Sequence, residues 1–99
     1  MLRNFNQPIL GMDNEPLKDE KGVTVLLENI AVNALLAATQ DDRADGTEKA
    51  KRFTLAMKIN NQTEPVDVTA EELVKMKEMI GKVYTALVVG RAYDLLEAK

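Results

Sequence analysis

Residues 85–97, TALVVGRAYDLLE, form the stretch that most constrains the fold of this chain. Only Thr85, Arg91, Asp94 and Glu97 in this stretch are strongly polar. On a helical period, Arg91 and Asp94 share one narrow face, and apolar side chains cover most of the remainder. A helix that is apolar around more than half of its circumference needs partners on several sides. We therefore predict that this segment is the central helix of a small helical domain or a helix that bridges two subunits.

The same segment supplies the main functional hint. With three other helices in a chain of 99 residues, one side of the last helix can remain uncovered. An exposed apolar patch of this kind marks a surface for protein–protein contact or self-association. We expect such a patch to contain some of four residues, Val88, Val89, Tyr93 and Leu96. The alternative is a helix that is fully internal.

The length and composition predict one globular domain that spans residues 1–99. The chain is 45% hydrophobic and 29% charged, which is typical of a folded domain rather than a disordered one. It has only four aromatic residues, so the core must be aliphatic, as suits helix packing. The first residues, MLRNFNQPILGMDN, have no sustained apolar run of the kind that a signal peptide needs, and no stretch approaches the roughly 18 apolar residues of a membrane span. We expect an intracellular protein that does not enter a membrane.

Several residue types that carry chemistry are absent. The sequence contains no Cys, His, Trp or Ser. Disulfides, the usual transition-metal ligands and the common nucleophiles are therefore excluded. The five glycines are isolated, so no phosphate-binding glycine loop is present. We predict no catalytic, cofactor-binding or metal site and a protein that is not an enzyme. A carboxylate-dependent enzyme remains an alternative, and its candidate residues are Asp13, Glu15, Asp19 and Glu20.

The charge is unevenly distributed along the chain. The net charge is −3, but residues 43–60 carry a local balance of +3, so the remainder sums to −6. A basic face composed of Lys49, Lys51, Arg52 and Lys58 could follow a phosphate backbone. A small DNA-binding regulator that uses the helix of residues 43–60 is therefore an alternative function. An ordinary solvated helix is the simpler interpretation.

The order of predicted elements gives a mainly α fold of the α+β class, with about four helices packed with an N-terminal β-hairpin at about residues 4–18. Residues 11–14, GMDN, have the composition of the hairpin turn. Pro8 and Pro16 cannot donate to a ladder, so both strands should be edge-like or irregular. Because a two-stranded hairpin alone is marginal in water, it should lie on helices or pair with residues 64–68.

Capping residues and apolar spacing predict the helices. The first helix is expected from Thr24 as N-cap to about residue 39, and its inward stripe comprises Leu27, Ile30, Ala31, Ala34, Leu35 and Ala38. Asp45, with Glu48 three residues on, opens a second helix that ends near residue 59 at Asn60 and Asn61. Its predicted inward face comprises Ala50, Phe53, Ala56 and Met57.

The clearest local signal in the chain is Thr69 followed by Glu72, which forms a capping box for a third helix. The core stripe of that helix is predicted to comprise Leu73, Met76, Ile80 and Val83. Gly81 weakens the interior of this helix. A break is expected at residues 84–85, where Thr85 could cap a separate last helix.

Three segments of the sequence carry a family resemblance: FNQPILGMDNEPLKD, VNALLA and the tail EPVDVTAEELVKMKEMIGKVYTALVVGRAYDLLE. Together they resemble small uncharacterised accessory proteins of tailed bacteriophages and prophages. That family often has Pro after Thr85, where this chain has Ala86. The resemblance implies a role in assembly or host interaction in the cytoplasm of a bacterial host cell. The expected partners are an unknown phage or host protein and further copies of the chain in a homo-oligomer.

Overall fold

A computed structural model of the chain describes residues 1–37 and 43–97. Within these ranges it contains four helices and one short two-stranded antiparallel sheet. The elements in chain order are β1 (Leu2–Arg3), α1 (Leu27–Leu36), α2 (Gly46–Ile59), β2 (Val66–Asp67), α3 (Ala70–Val83) and α4 (Ala86–Glu97). The predicted fold class, mainly α with a small N-terminal β part, is confirmed.

The N-terminal β region closes on itself. An isolated antiparallel bridge joins Leu10 to Pro16 across the predicted turn. A third extended segment, residues 24–26, then forms one bridge with each side of the hairpin, from Thr24 to Lys18 and from Leu26 to Pro8. The Ile9 N–H donates to the Val25 carbonyl, the Val25 N–H to the Leu17 carbonyl, and the Leu17 N–H to the Ile9 carbonyl. This ring uses no proline nitrogen and leaves no long unpaired edge.

The strand expected at residues 64–68 is present, but its partner is the chain start rather than the hairpin. In the sheet, Leu2 lies opposite Asp67 and Arg3 lies opposite Val66. The Met1 ammonium group donates to the Asp67 carboxylate at 2.7 Å and to the Val68 carbonyl at 2.9 Å. These contacts fix the first residues beside the start of α3.

Helix α1 is the central helix, because it packs against α2, α3 and α4. The predicted stripe is buried from Leu27 to Leu35, whereas Ala38 and residue 39 lie outside the described residues. The predicted start at Thr24 is wrong. Residues 23–26 are extended because the backbone of Val25 belongs to the ring of hydrogen bonds, so the helix begins at Leu27 with Leu26 at the N-cap.

Helices α2 and α3 begin and end as their local sequences predict. The Asp45 carboxylate accepts the Glu48 N–H at 2.9 Å, and α2 ends at Ile59, followed by Asn61 in the left-handed region at φ 59°. The Thr69 hydroxyl accepts the Glu72 N–H, and the Glu72 carboxylate accepts the Thr69 N–H. Both helices pack on α1 but hardly on each other.

The break before α4 is confirmed, since α3 ends at Val83 and α4 starts at Ala86. The position of α4 differs from the predicted central one. It packs mainly on α3 and less on α1, and only Ala92 and Leu96 within it are fully buried. The predicted core stripe of α3 included Val83, but that side chain is 38% exposed. Met79, which was not predicted, is buried instead.

Candidate functional site

Helix α2 faces the core with a different side from the one predicted. Its buried side chains are Arg52, Leu55, Ala56 and Ile59. Of the predicted inward set only Ala56 is buried, whereas Phe53 is 56% exposed and Met57 is 57% exposed. The prediction was wrong because α2 carries two apolar stripes, and the stripe that contains Leu55 and Ile59 packs on α1.

The outer stripe of α2, which we define as Ala50, Phe53 and Met57, lies on the side away from the core. Its members recur at three- and four-residue spacing, so they share one face of the helix. All three are exposed. Large apolar side chains that are exposed next to each other on one helix face form a continuous patch, and such a patch is a candidate contact surface.

The four residues of the predicted basic face do not share one face. Arg52 is only 6% exposed and lies 3.6 Å from the Glu48 carboxylate. Lys58 forms an ion pair of 2.9 Å with Glu72 of α3. Lys49 and Lys51 are both exposed, but two residues correspond to about 200° of helical rotation, so they lie on nearly opposite sides. The arrangement is a divided set of cations, not a continuous basic face.

The three lysines of this set nevertheless lie on the two sides of the outer stripe. Lys49 lies about 40° from Phe53 around the helix axis, on one side of the stripe. On the other side, beyond Thr54, lie Lys51 and Lys58. The exposed arc of α2 between these lysines contains no carboxylate, because Glu48 points toward α3 and binds Lys75 at 2.6 Å.

A groove of about 760 Å³ separates α2 from the start of α3. Its walls carry three lysines and three glutamates, and the other lining residues are uncharged. The lining residues are Gly46, Thr47, Glu48, Ala50, Lys51, Thr54, Leu55, Lys58, Thr69, Glu71, Glu72 and Lys75. The ion pairs from Lys58 to Glu72 and from Lys75 to Glu48 span it. The groove is therefore balanced in charge.

The two carboxylates of these ion pairs have lowered pKa values. For Glu48, the hydrogen bond from the Lys75 ammonium group is the main cause of the lowered pKa. For Glu72, partial burial acts to raise the pKa, but the Thr69 N–H and the Lys58 ammonium group together lower it. Both carboxylates are thus held in the ionised form, which suits a structural link between helices rather than proton transfer near neutral pH.

The predicted self-association residues on α4 are mostly enclosed. Leu96 is 1% exposed and belongs to the core, and Val88, Val89 and Tyr93 are half-buried against it. The Tyr93 hydroxyl donates to the Lys77 carbonyl at 2.5 Å. Leu96 therefore cannot contribute to an exposed patch on this fold, and self-association through the other three residues stays a prediction.

Polar contacts hold α4 in place at several points. The Arg91 guanidinium group donates to the Gly11 carbonyl and to the Asn14 side chain, each at 2.9 Å. The Arg3 guanidinium group donates to the Leu96 carbonyl at 2.5 Å. These contacts explain why a helix rich in apolar residues is fixed to the surface of its own domain.

Two of the four candidate catalytic carboxylates act in turns. The Asp13 side chain accepts the Glu15 N–H, and the Asp19 side chain accepts the N–H groups of Lys21 and Val23. In residues 1–37 and 43–97, no group of three or more acidic side chains is placed to hold a metal ion.

Sequence reasoning missed the outer stripe, although one signal could have identified it. Leu55 and Ile59 are separated by four residues and lie about 160° from the pair Phe53 and Met57 on a helical wheel. A short helix cannot bury both pairs against a single neighbour, so one of them had to face outward.

None of the helices in the described part of the chain is long and apolar enough to cross a membrane. No protein-family model, no curated protein and no solved structure matches this chain.

Proposed function

We propose that this chain is a non-enzymatic accessory protein that acts by binding other protein surfaces, including those of further copies of itself. The observation that carries the proposal is the outer stripe of α2, where Phe53 and Met57 are each more than half exposed. Burial of such side chains on a partner is favourable by roughly 25 cal/mol per Å² of apolar surface.

The sequence resemblance to small phage and prophage proteins gives this proposal its setting. An accessory role in phage assembly or in contact with a host protein, inside a bacterial host cell, fits a small domain that exposes an apolar helix face. The proposal predicts that the gene lies beside phage structural or host-takeover genes, and inspection of the neighbouring genes in the source genome tests this setting.

The DNA-binding alternative receives less support from the geometry of α2. Arg52 is buried and Lys58 is engaged with Glu72, so only part of the predicted basic face could reach phosphates. Sequence-independent DNA binding depends on the number of phosphates that cations neutralise. The carboxylate-dependent enzyme is likewise not favoured by the turn roles of Asp13 and Asp19.

Light scattering across a range of protein concentrations tests self-association. The wild-type chain should show a mass that increases with concentration. Two variants separate the candidate surfaces: Phe53→Ser with Met57→Ser removes the outer stripe of α2, and Val88→Asp alters α4. Circular dichroism of each variant checks that it is folded, because Val88 is half-buried. A wild-type chain that is monomeric at every concentration contradicts the self-association part of the proposal.

A further inference from the structure

Helix α2 presents an unusual combination on its outer side: an apolar stripe bordered by lysines on both sides. The stripe comprises Ala50, Phe53 and Met57, and Lys49 lies beside it on one side. Lys51 and Lys58 lie on the other side, beyond Thr54. Helix α2 has 14 residues, so this surface is about 21 Å long.

We propose that the outer face of α2 is a docking surface for an acidic amphipathic helix of a partner protein. This inference rests on the proposed function and names the chemistry of its partner. Apolar side chains of the partner would cover Phe53 and Met57. Its carboxylates would lie on both sides of that apolar contact, against Lys49 and Lys51. Helices that pair through an apolar seam choose their partners by opposite charges along its borders.

The charge of α2 argues against an identical helix as the occupant. A second α2 would bring Lys49 and Lys51 of two copies to one seam, and like charges at the borders of a seam oppose pairing. Lys49 and Lys51 also have no ion pair with any residue of 1–37 or 43–97. The Lys49 charge is therefore available to an incoming carboxylate. The Lys51 charge contributes to the lowered pKa of Glu48, but it is not held in an ion pair.

The apolar centre of the surface argues against nucleic acid as the occupant. A phosphate backbone would approach the lysines but would leave Phe53 and Met57 without an apolar partner. The neighbouring α2–α3 groove also fits poorly, because Glu71 and Glu72 line its far wall. A helix with an apolar stripe and acidic residues on both sides of it would cover Phe53 and Met57 and would also place carboxylates against the lysines.

A labelled synthetic peptide tests the inference. The probe is a helical peptide of three heptads with Leu at positions a and d and Glu at e and g, and its matched control has Lys at e and g. Fluorescence anisotropy with the wild-type chain should show saturable binding of the Glu peptide, with an affinity about tenfold or more above that of the Lys peptide. Equal binding of both peptides, or no binding of the Glu peptide, overturns the inference.

Variants of the chain locate the binding. The double substitution Phe53→Ser with Met57→Ser should weaken binding of the Glu peptide about tenfold or more. Val74→Ser is the control, because Val74 is also more than half exposed but lies on α3, and it should leave the affinity unchanged. Lys49→Glu with Lys51→Glu should weaken binding of the Glu peptide, whereas Lys21→Glu should not. Binding that is insensitive to both double substitutions overturns the inference.

Two further probes separate other occupants. Vesicles that contain phosphatidylglycerol and a DNA duplex of about 20 base pairs present negative charge without a helix. Stripe-dependent binding to either probe that exceeds binding to the Glu peptide overturns the inference in favour of that occupant. A chain that remains monomeric in light scattering yet binds the Glu peptide through α2 supports the docking surface and contradicts only the self-association part of the proposed function.

Discussion

Helices α2 and α4 both carry apolar side chains on several sides, but only α4 has most of them covered by its own domain. Leu96 of α4 is in the core, and polar contacts from Arg3, Arg91 and Tyr93 hold that helix in place. Phe53 and Met57 of α2 face outward. The comparison shows that apolar content alone does not reveal which helix face stays exposed, because α4 is also held by polar contacts with residues distant in sequence.

The largest expected change in the free energy of unfolding is at a buried residue of α4. Leu96→Ala removes most of a side chain that is fully enclosed, so it should lower the free energy of unfolding by about 2–5 kcal/mol. Urea unfolding followed by circular dichroism measures the change. A loss of less than about 1 kcal/mol would show that the Leu96 side chain is not enclosed in the core.

The close approach of α3 and α4 is tested at two glycines. A Cβ atom at Gly81 would lie 2.9 Å from the Tyr93 hydroxyl oxygen, whereas a Cβ atom at Gly90 would meet nothing within 4 Å. Gly90→Ala should therefore stabilise the chain by up to about 1 kcal/mol through helix propensity. Gly81→Ala should be less favourable than Gly90→Ala, because the Tyr93 hydroxyl would have to move and its hydrogen bond to the Lys77 carbonyl would be disturbed.

The substitution Tyr93→Phe provides the internal control for this pair. It removes the hydroxyl group that a side chain at position 81 would meet, so Gly81→Ala in the Tyr93→Phe background should become stabilising. Thermal unfolding of the four variants measures the coupling between the two sites. Equal effects of Gly81→Ala in both backgrounds would show that the contact with Tyr93 is not formed.

The ion pairs between α2 and α3 predict a dependence of stability on pH. The pKa values of Glu48 and Glu72 are lowered in the folded chain from their ordinary value of 4.5. Their contribution is therefore present above about pH 4.5 and is lost as the pH falls through the lower folded-state values. Each pair is partly exposed, so we expect at most about 1 kcal/mol from each.

Lys75→Met isolates one of these pairs. In urea unfolding between about pH 3 and pH 7, the stability of this variant should change less with pH than that of the wild-type chain, because the Glu48 pKa moves toward its ordinary value. An identical pH dependence in the two proteins would contradict the role of Lys75.

The smallest change in the free energy of unfolding is expected at the exposed outer stripe of α2. Met57→Ala and Phe53→Ala remove side chains that are mostly in water, so each should change the free energy of unfolding by no more than about 0.5 kcal/mol. Urea unfolding at low protein concentration measures this without a contribution from association. Losses comparable with that of Leu96→Ala would show that the outer stripe is buried.

The sequence was sufficient for features that depend on neighbouring residues. The caps at Asp45 and Thr69, the end of α2 near Asn60 and the break after Val83 all follow from short-range patterns. These signals act within one helical turn, so a short window of sequence contains all of the residues that form them.

The sequence was not sufficient where distant contacts decide the outcome. The extended backbone near Thr24 depends on hydrogen bonds to residues 9 and 17, so its apparent capping signal was overridden. The inward face of α2 depends on which of two apolar stripes meets α1. The place of α4 depends on Arg3 and Arg91, whose partners lie more than 75 positions away. Such long-range choices leave no local pattern.

The most direct test of the central claim, that α2 exposes its outer stripe while α4 is enclosed, is the reactivity of single introduced thiols. The chain has no cysteine, so Phe53→Cys and Leu96→Cys each give one defined site for a maleimide reagent. At low protein concentration and neutral pH, we predict that Phe53→Cys reacts at the rate of a free thiol. Leu96→Cys should react about 100-fold or more slowly, because its modification requires local opening. Similar rates at the two sites, or faster labelling at position 96, would contradict the claim.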